Sequence, residues 1–461
     1  MDMEKTLRTE PREHESADSF KPRPLIICGT ALSLFHVVLF QALYFVDLNV
    51  LRTVELLFFI VFFVYAVIYG FKHRKQLSFK AEYVILAALT AWFFVSCAVM
   101  TYTRRENWFE LNKEYLVDAT ITLLVFFPVG RYYARAGCPK ALKNVVHVLI
   151  LLRTVFIAYA LFIIFRGGAV DLPNGGQIKM DEDFELQLNY NSNTAGAWQL
   201  VFFLCCFIMI FVIRHPAMKA AYSIAAAVNY TALALSNSRT AYIAALFGLA
   251  STVFVWVYQK KTAVLPKKKA VFIAAVFAIL SCAVFLLLRD QVFYLYHASV
   301  GRFTSPVIAD DSLGIKRILT AESGFTGRTT IWKHALNGIF SSLQVFLTGV
   351  TPAGVVGLIM RMSGGKVNYY THNQLLEIAV SLGVPAMCVC VIWILHVLRQ
   401  ALNLIRNNYT QILYPLIIVL SLLLANMTEA TLLFYFNVAG HVFFLLCGWI
   451  CGKAYGKKTR S

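Results

Sequence analysis

What this sequence has least of is charge. Only 14% of its 461 residues are Asp, Glu, Lys or Arg, where an ordinary soluble domain carries about 25%. Acidic side chains are the scarcer sign, 24 against 42 basic ones. No Cys-x-x-Cys pair occurs among the ten cysteines, and all but Cys138 lie in or beside apolar runs, so the long polar breaks hold nothing that could staple them. A basic stripe with interleaved aromatics on a soluble element is also missing, which excludes a nucleic-acid partner as the reason for the net charge of +18. These absences rule out a soluble enzyme, a secreted disulfide scaffold and a disordered tail protein.

What is present is apolar sequence: 59% of the residues are hydrophobic and the mean hydropathy is +0.65. The apolar residues fall in runs of roughly 16 to 24, the length that crosses a ~30 Å hydrocarbon core as helix. Such runs lie at residues 24–46, 54–71, 81–103, 115–130, 144–165, 195–213, 220–235, 240–259, 270–288, 375–398, 409–427 and 431–451. The expected fold is therefore an all-α polytopic membrane protein of about 12 transmembrane helices with one large extracytoplasmic loop carrying short interfacial helices. Its parts are a cytoplasmic disordered tail (1–23), helices 1–9 (24–288), the loop (289–374), helices 10–12 (375–451) and a cytoplasmic tail (452–461). The first run follows a polar tail and lacks a small-residue cleavage site, so it reads as a retained helix rather than a signal peptide.

Orientation follows from the basic residues. With both termini inside, the inner breaks hold Lys72, Arg74, Lys75 and Lys80, then Arg131, Arg135, Lys140 and Lys143, then Lys260, Lys261 and Lys267 to Lys269. The break at 166–194 carries Asp171, Asp181, Glu182, Asp183 and Glu185 and faces outward by the same rule. This arrangement puts the long loop on the extracytoplasmic side of the membrane.

Three polar motifs then fall on that outer face. Ser236-Asn237-Ser238-Arg239-Thr240 sits between two apolar runs, so Arg239 and the N-H groups of the helix that begins there can share an anion. A bland alternative is a serine helix cap with a snorkelling arginine. Thr326-Gly327-Arg328-Thr329-Thr330-Ile331-Trp332 predicts a helix with Ile331, Ala335 and Ile339 on its apolar face and Arg328 in its first turn. Thr371 and Gln374 have the spacing of a capping box, which would put His372 in a first helical turn and keep it neutral. Two arginines and a neutral histidine at one interface make a diphosphate clamp and a general base.

The order Ser-x-Ser-Arg, Gly-Arg-x-x-x-Trp, His-Asn-x-x-Leu-Glu, after about eight spans and across a large outer loop, resembles the O-antigen ligase and O-antigen polymerase superfamily of bacterial envelopes. The resemblance covers residues 189–385 or so. It implies a metal-independent glycosyltransferase, without a cofactor, that moves a glycan from an undecaprenyl-diphosphate carrier to an acceptor glycan or a lipid-anchored acceptor. By that likeness Arg239 and Arg328 would bind the diphosphate and His372 would activate the acceptor hydroxyl, with Ser238 and Asn373 supporting them. Asn191 and Asn193 resemble an asparagine motif that precedes the sixth span, although Ser192 stands where a proline is common.

Two further residues stand out. Arg153, within the fifth span, either pairs with Asp118 or lines the cavity of the lipid carrier. Glu429, between the last two spans, either assists proton transfer or caps the last helix, and the cap is the simpler expectation. The outer carboxylates Asp310 and Asp311 form no recognisable divalent site. A secondary transporter or flippase of lipid-linked oligosaccharide is the competing class, but its polar sites belong at the midplane of paired repeats, whereas these motifs lie at the outer boundary.

Overall fold

A computed structural model describes residues 23–42, single positions between 54 and 68, and residues 81–172, 177–181, 185–188, 192–300, 326–434 and 438–458. Most of the expected second span, residues 1–22 and 459–461 of the two expected tails, Asn191 and the pair Asp310 and Asp311 lie outside the described residues, while residues 452–458 continue the last helix. The helices in chain order are α1 Arg23–Ala42, α2 Ala81–Arg104, α3 Trp108–Ala136, α4 Lys140–Ile164, α5 Ser192–Val212, α6 Pro216–Leu235, α7 Arg239–Lys261 and α8 Lys267–Val300. From residue 326 onward come α9 Thr326–Ile339, α10 Leu343–Thr348, α11 Val355–Met362, α12 Gln374–Leu382, α13 Val384–Arg406, α14 Leu413–Ala425 and α15 Val438–Lys458.

The protein is a helical membrane protein. Among the described residues, seven helices (α2, α3, α4, α5, α7, α8 and α13) are long and apolar enough to cross a membrane by length and composition. That measure does not reach the expected count of twelve: the apolar stretches in α1, α14 and α15 are shorter.

Three departures from the sequence expectation have local causes. Helix α8 has 34 residues, about 51 Å at 1.5 Å per residue, so it runs on past residue 288 instead of ending at a membrane boundary. Against the all-α expectation, the acidic break after α4 holds a small antiparallel sheet, β1 Val170–Asp171, β2 Gln177–Met180 and β3 Leu186–Leu188, in the order β1-β2-β3. Ile178, Leu186 and Leu188 turn inward, a period-2 pattern too short to be seen beside the surrounding helical runs. The expected tenth span is interrupted at Gly383, which has φ 89° and separates α12 from α13. A Cβ at that position would lie 2.1 Å from the Leu347 carbonyl oxygen, so both the conformation and the close approach require glycine.

Helices α3 and α15 meet backbone to backbone. Ideal Cβ atoms on Gly130 and Gly448 would lie 2.0 Å from the carbonyl oxygens of Leu445 and Phe127, and one on Gly452 would lie 2.4 Å from that of Arg131. Gly448 and Gly452 are one helical turn apart, the small-residue spacing that lets apolar helices gain dispersion contact where burial from water offers little. At the helix ends that carry the basic breaks, Glu82 of α2 takes a hydrogen bond from Arg131 of α3 at 3.0 Å and faces His396 of α13 at 3.1 Å. A second buried pair joins Asp118 of α3 to His441 of α15 at 3.1 Å.

The segment at the other ends of the bundle has its own apolar core. The anticipated face of α9, Ile331, Ala335 and Ile339, is buried with Val355, Leu358 and Ile359 and with Ala379 and Val380 of α12. That packing fixes the direction in which α9 presents its first turn.

Candidate active site

Arg328 lies in the first turn of α9, as its motif implies, and reaches across to the segment after α14. Its Nη2 donates to Glu429 Oε1 at 2.5 Å, and its Nη1 lies 3.4 Å from the Thr240 hydroxyl oxygen. Thr240 follows Arg239, the first residue of α7, and its hydroxyl is 2.6 Å from that of Thr428. The other oxygen of Glu429 lies 3.2 Å from His372 Nδ1. Elements far apart in sequence, the starts of α7 and α9, the turn before α12 and the turn after α14, thus converge on one polar cluster around Arg328 and Glu429.

The tautomer follows from the partners. An ionised carboxylate only accepts, so His372 donates from Nδ1 and leaves Nε2 as the nitrogen able to take a proton. Glu429 therefore orients the imidazole and balances the Arg328 charge, and it does not cap the last helix: α15 begins only at Val438 among the described residues. The reason is steric reach. Thr428 and Glu429 sit in the turn, where a side chain can address two neighbouring elements at once.

The expected capping box is displaced. Asn373, not Thr371, is the N-cap of α12, its side chain accepting from the Leu376 N-H at 2.9 Å. His372 consequently stands just outside the helix with φ 49°, a left-handed conformation uncommon for a non-glycine residue. Its neighbours hold it there. Thr371 donates through its hydroxyl to Glu377 Oε2 at 2.7 Å and through its N-H at 3.1 Å, and its carbonyl accepts from Trp332 Nε1 at 2.8 Å. On the other side Asn373 Nδ2 donates to the Met427 carbonyl at 2.7 Å, and the Gln374 N-H to that of Asn426 at 3.0 Å.

These bonds give the motif spacings a physical meaning. Trp332 stands one turn after Arg328 and reads the backbone beside His372, while Glu377 stands one turn into α12 and locks the same residue, Thr371. Trp332, Glu377 and Thr240 stand in the motifs of the sequence but were given no role there, and Thr428 was not singled out. The signal for Glu429 was available: it is the only acidic residue between 378 and 461.

The remaining candidates take different places. Ser238 is the buried N-cap residue of α7 and makes no capping hydrogen bond with its side chain. Asn193 is half-buried in the first turn of α5, one turn before Gly196, where a Cβ would lie 2.6 Å from Ser238 Cβ. Arg153 is buried in α4, with its guanidinium 5.0 Å from the ring of Phe156 and 5.3 and 5.8 Å from those of Trp198 and Phe202. Asp118, its proposed partner, lies against His441 at 3.1 Å.

A helical membrane protein with a basic cluster and an oriented histidine at one end of its bundle is the class defined by fold and site. Within it, residues 224–391 match the family described as O-antigen ligase, a stretch that contains Arg239, Arg328 and His372 and stops short of Glu429. That match supports the resemblance to the O-antigen ligase and polymerase superfamily read from the three motifs. No curated protein matches the chain.

Proposed function

We propose that the protein is a membrane glycosyltransferase that moves a glycan from an undecaprenyl-diphosphate carrier to an acceptor sugar hydroxyl on the outer face of the bacterial cell membrane. The observation that carries this reading is Glu429 joining Arg328 to His372, because it couples an anion-binding side chain to an oriented base. His372 Nε2 takes the proton from the acceptor hydroxyl, the freed oxygen attacks the anomeric carbon, and the bond from that carbon to the diphosphate oxygen breaks. Charge accumulating on the leaving diphosphate meets Arg328, Arg239 and the N-terminal N-H groups of α7. Arginines can neutralise that group without a divalent cation, so the reaction is assigned as metal-independent.

The outer-face assignment rests on the basic inner breaks. A cysteine placed in the Lys260 to Lys269 break should resist an impermeant thiol reagent in intact cells, and one near Gly175 should react. The reaction itself is tested with purified protein in lipid nanodiscs, a lipid-linked saccharide and candidate acceptors. A ladder of product lengths identifies a polymerase and a single capped product a ligase. Movement of the intact lipid-linked saccharide across a bilayer without any change in its bonds would make the protein a transporter and overturn the proposal.

A further inference from the structure

A second arginine-bearing device stands behind the α7 end of the site. Arg289, near the far end of α8, is only 1% exposed and donates from Nη2 to Asn237 Oδ1 at 2.6 Å. Its guanidinium also lies 5.2 Å from the Tyr242 ring and 5.3 Å from the Phe293 ring, which places the cation between α7 and its own helix. A buried guanidinium is costly to desolvate and is retained where it specifies a geometry.

The geometry here is the turn between α6 and α7. Ser236 ends α6 and Ser238 precedes Arg239, so Asn237 alone makes the reversal, at φ 54°. Asparagine tolerates this left-handed conformation better than most residues, but only glycine adopts it freely. A hydrogen bond from a fixed guanidinium to its side chain therefore selects the one backbone state that sets where α7 begins. The position of Arg239 follows, and with it that of Thr240, whose hydroxyl meets Arg328 and Thr428.

We infer that Arg289 is a positioning residue for diphosphate recognition, acting through Asn237 on Arg239 and Thr240 without touching the ligand. The inference rests on the diphosphate reading of the site given above. Its test is the affinity of undecaprenyl diphosphate itself for the full-length protein in lipid nanodiscs, which needs no knowledge of the sugars. Arg289→Gln should weaken binding about 10- to 100-fold, the scale expected when a binding group is displaced by up to an ångström. Arg289→Lys, which can still donate to Asn237 Oδ1, should restore most of it. In an Arg239→Ala background Arg289→Gln should add little, because its effect passes through Arg239; a general loss of stability would add in full. Should Arg289→Gln fail to fold, Asn237→Gly makes the same test, since glycine adopts the positive φ and offers no acceptor, and it should weaken binding comparably. Normal affinity in the folded Arg289→Gln or Asn237→Gly variants, or full additivity with Arg239→Ala, would overturn the inference while leaving the diphosphate reading intact. Normal affinity in both Arg239→Ala and Arg328→Ala would instead overturn that reading, and the inference with it.

Discussion

Glu429 Oε2 meets His372 Nδ1 across 3.2 Å. The same carboxylate holds Arg328 at 2.5 Å. The placements of the imidazole and of the Arg328 guanidinium are therefore not independent, and on the proposed function substitutions in this cluster should separate chemistry from binding in characteristic ways.

His372→Ala should abolish most transfer, since removal of a general base costs about 10² to 10⁴ in rate. Carrier binding should remain close to that of the wild type, because in the proposed mechanism Arg239, Arg328 and the α7 N-terminus hold the diphosphate without the imidazole. Turnover and undecaprenyl diphosphate affinity measured on the same preparation decide the matter: a parallel loss of both makes His372 a phosphate ligand.

Glu429→Ala should lower kcat by about 10²- to 10⁴-fold, the effect of removing the group that fixes a catalytic histidine in its working tautomer. Carrier affinity should hold steady or rise, because Arg328 loses the carboxylate that competes with phosphate for its N-H groups. A fall in affinity with unchanged kcat would mean that Glu429 only shapes the pocket.

Arg328→Lys and Arg239→Lys should each weaken donor binding although the charge is kept. A lysine cannot reproduce the planar fork of donors, and each charge-assisted hydrogen bond lost is worth about 1.5–3 kcal/mol. Donor KM and carrier Kd are the measurements. Lysine variants indistinguishable from wild type would favour head-group snorkelling for both arginines.

Gly448→Val should destabilise the protein strongly. Its first new atom would lie 2.0 Å from the Phe127 carbonyl oxygen, and overpacking of this kind costs about 1–3 kcal/mol or more. Gly357→Ala in α11, where a Cβ meets nothing within 4 Å, should leave Tm unchanged or raise it, since alanine is the better helix former by about 1 kcal/mol. Thermal unfolding of the two variants in the same detergent makes the comparison.

The class of protein was legible in the sequence because hydrocarbon imposes a length and a composition on every helix that crosses it, and no tertiary contact is needed to read either. The first turn of α9 was legible too, since Ile331, Ala335 and Ile339 recur at helical spacing and bury together. So were the three motifs, since each is a local departure from apolar sequence at the start of an apolar run. Local pattern failed where a choice depended on a neighbour distant in the chain. Asn373 displaced Thr371 as the helix cap because Glu377 and Trp332 engage Thr371, and Gly383 broke an apolar run because the Leu347 carbonyl lies against it. Glu429 became the partner of Arg328 and His372 for the same kind of reason: these residues are separated by 101 and 57 positions. Spacing along the chain carries no information about such contacts, and only the packing of α7, α9, α12 and α14 around one another brings a carboxylate within hydrogen-bond reach of both.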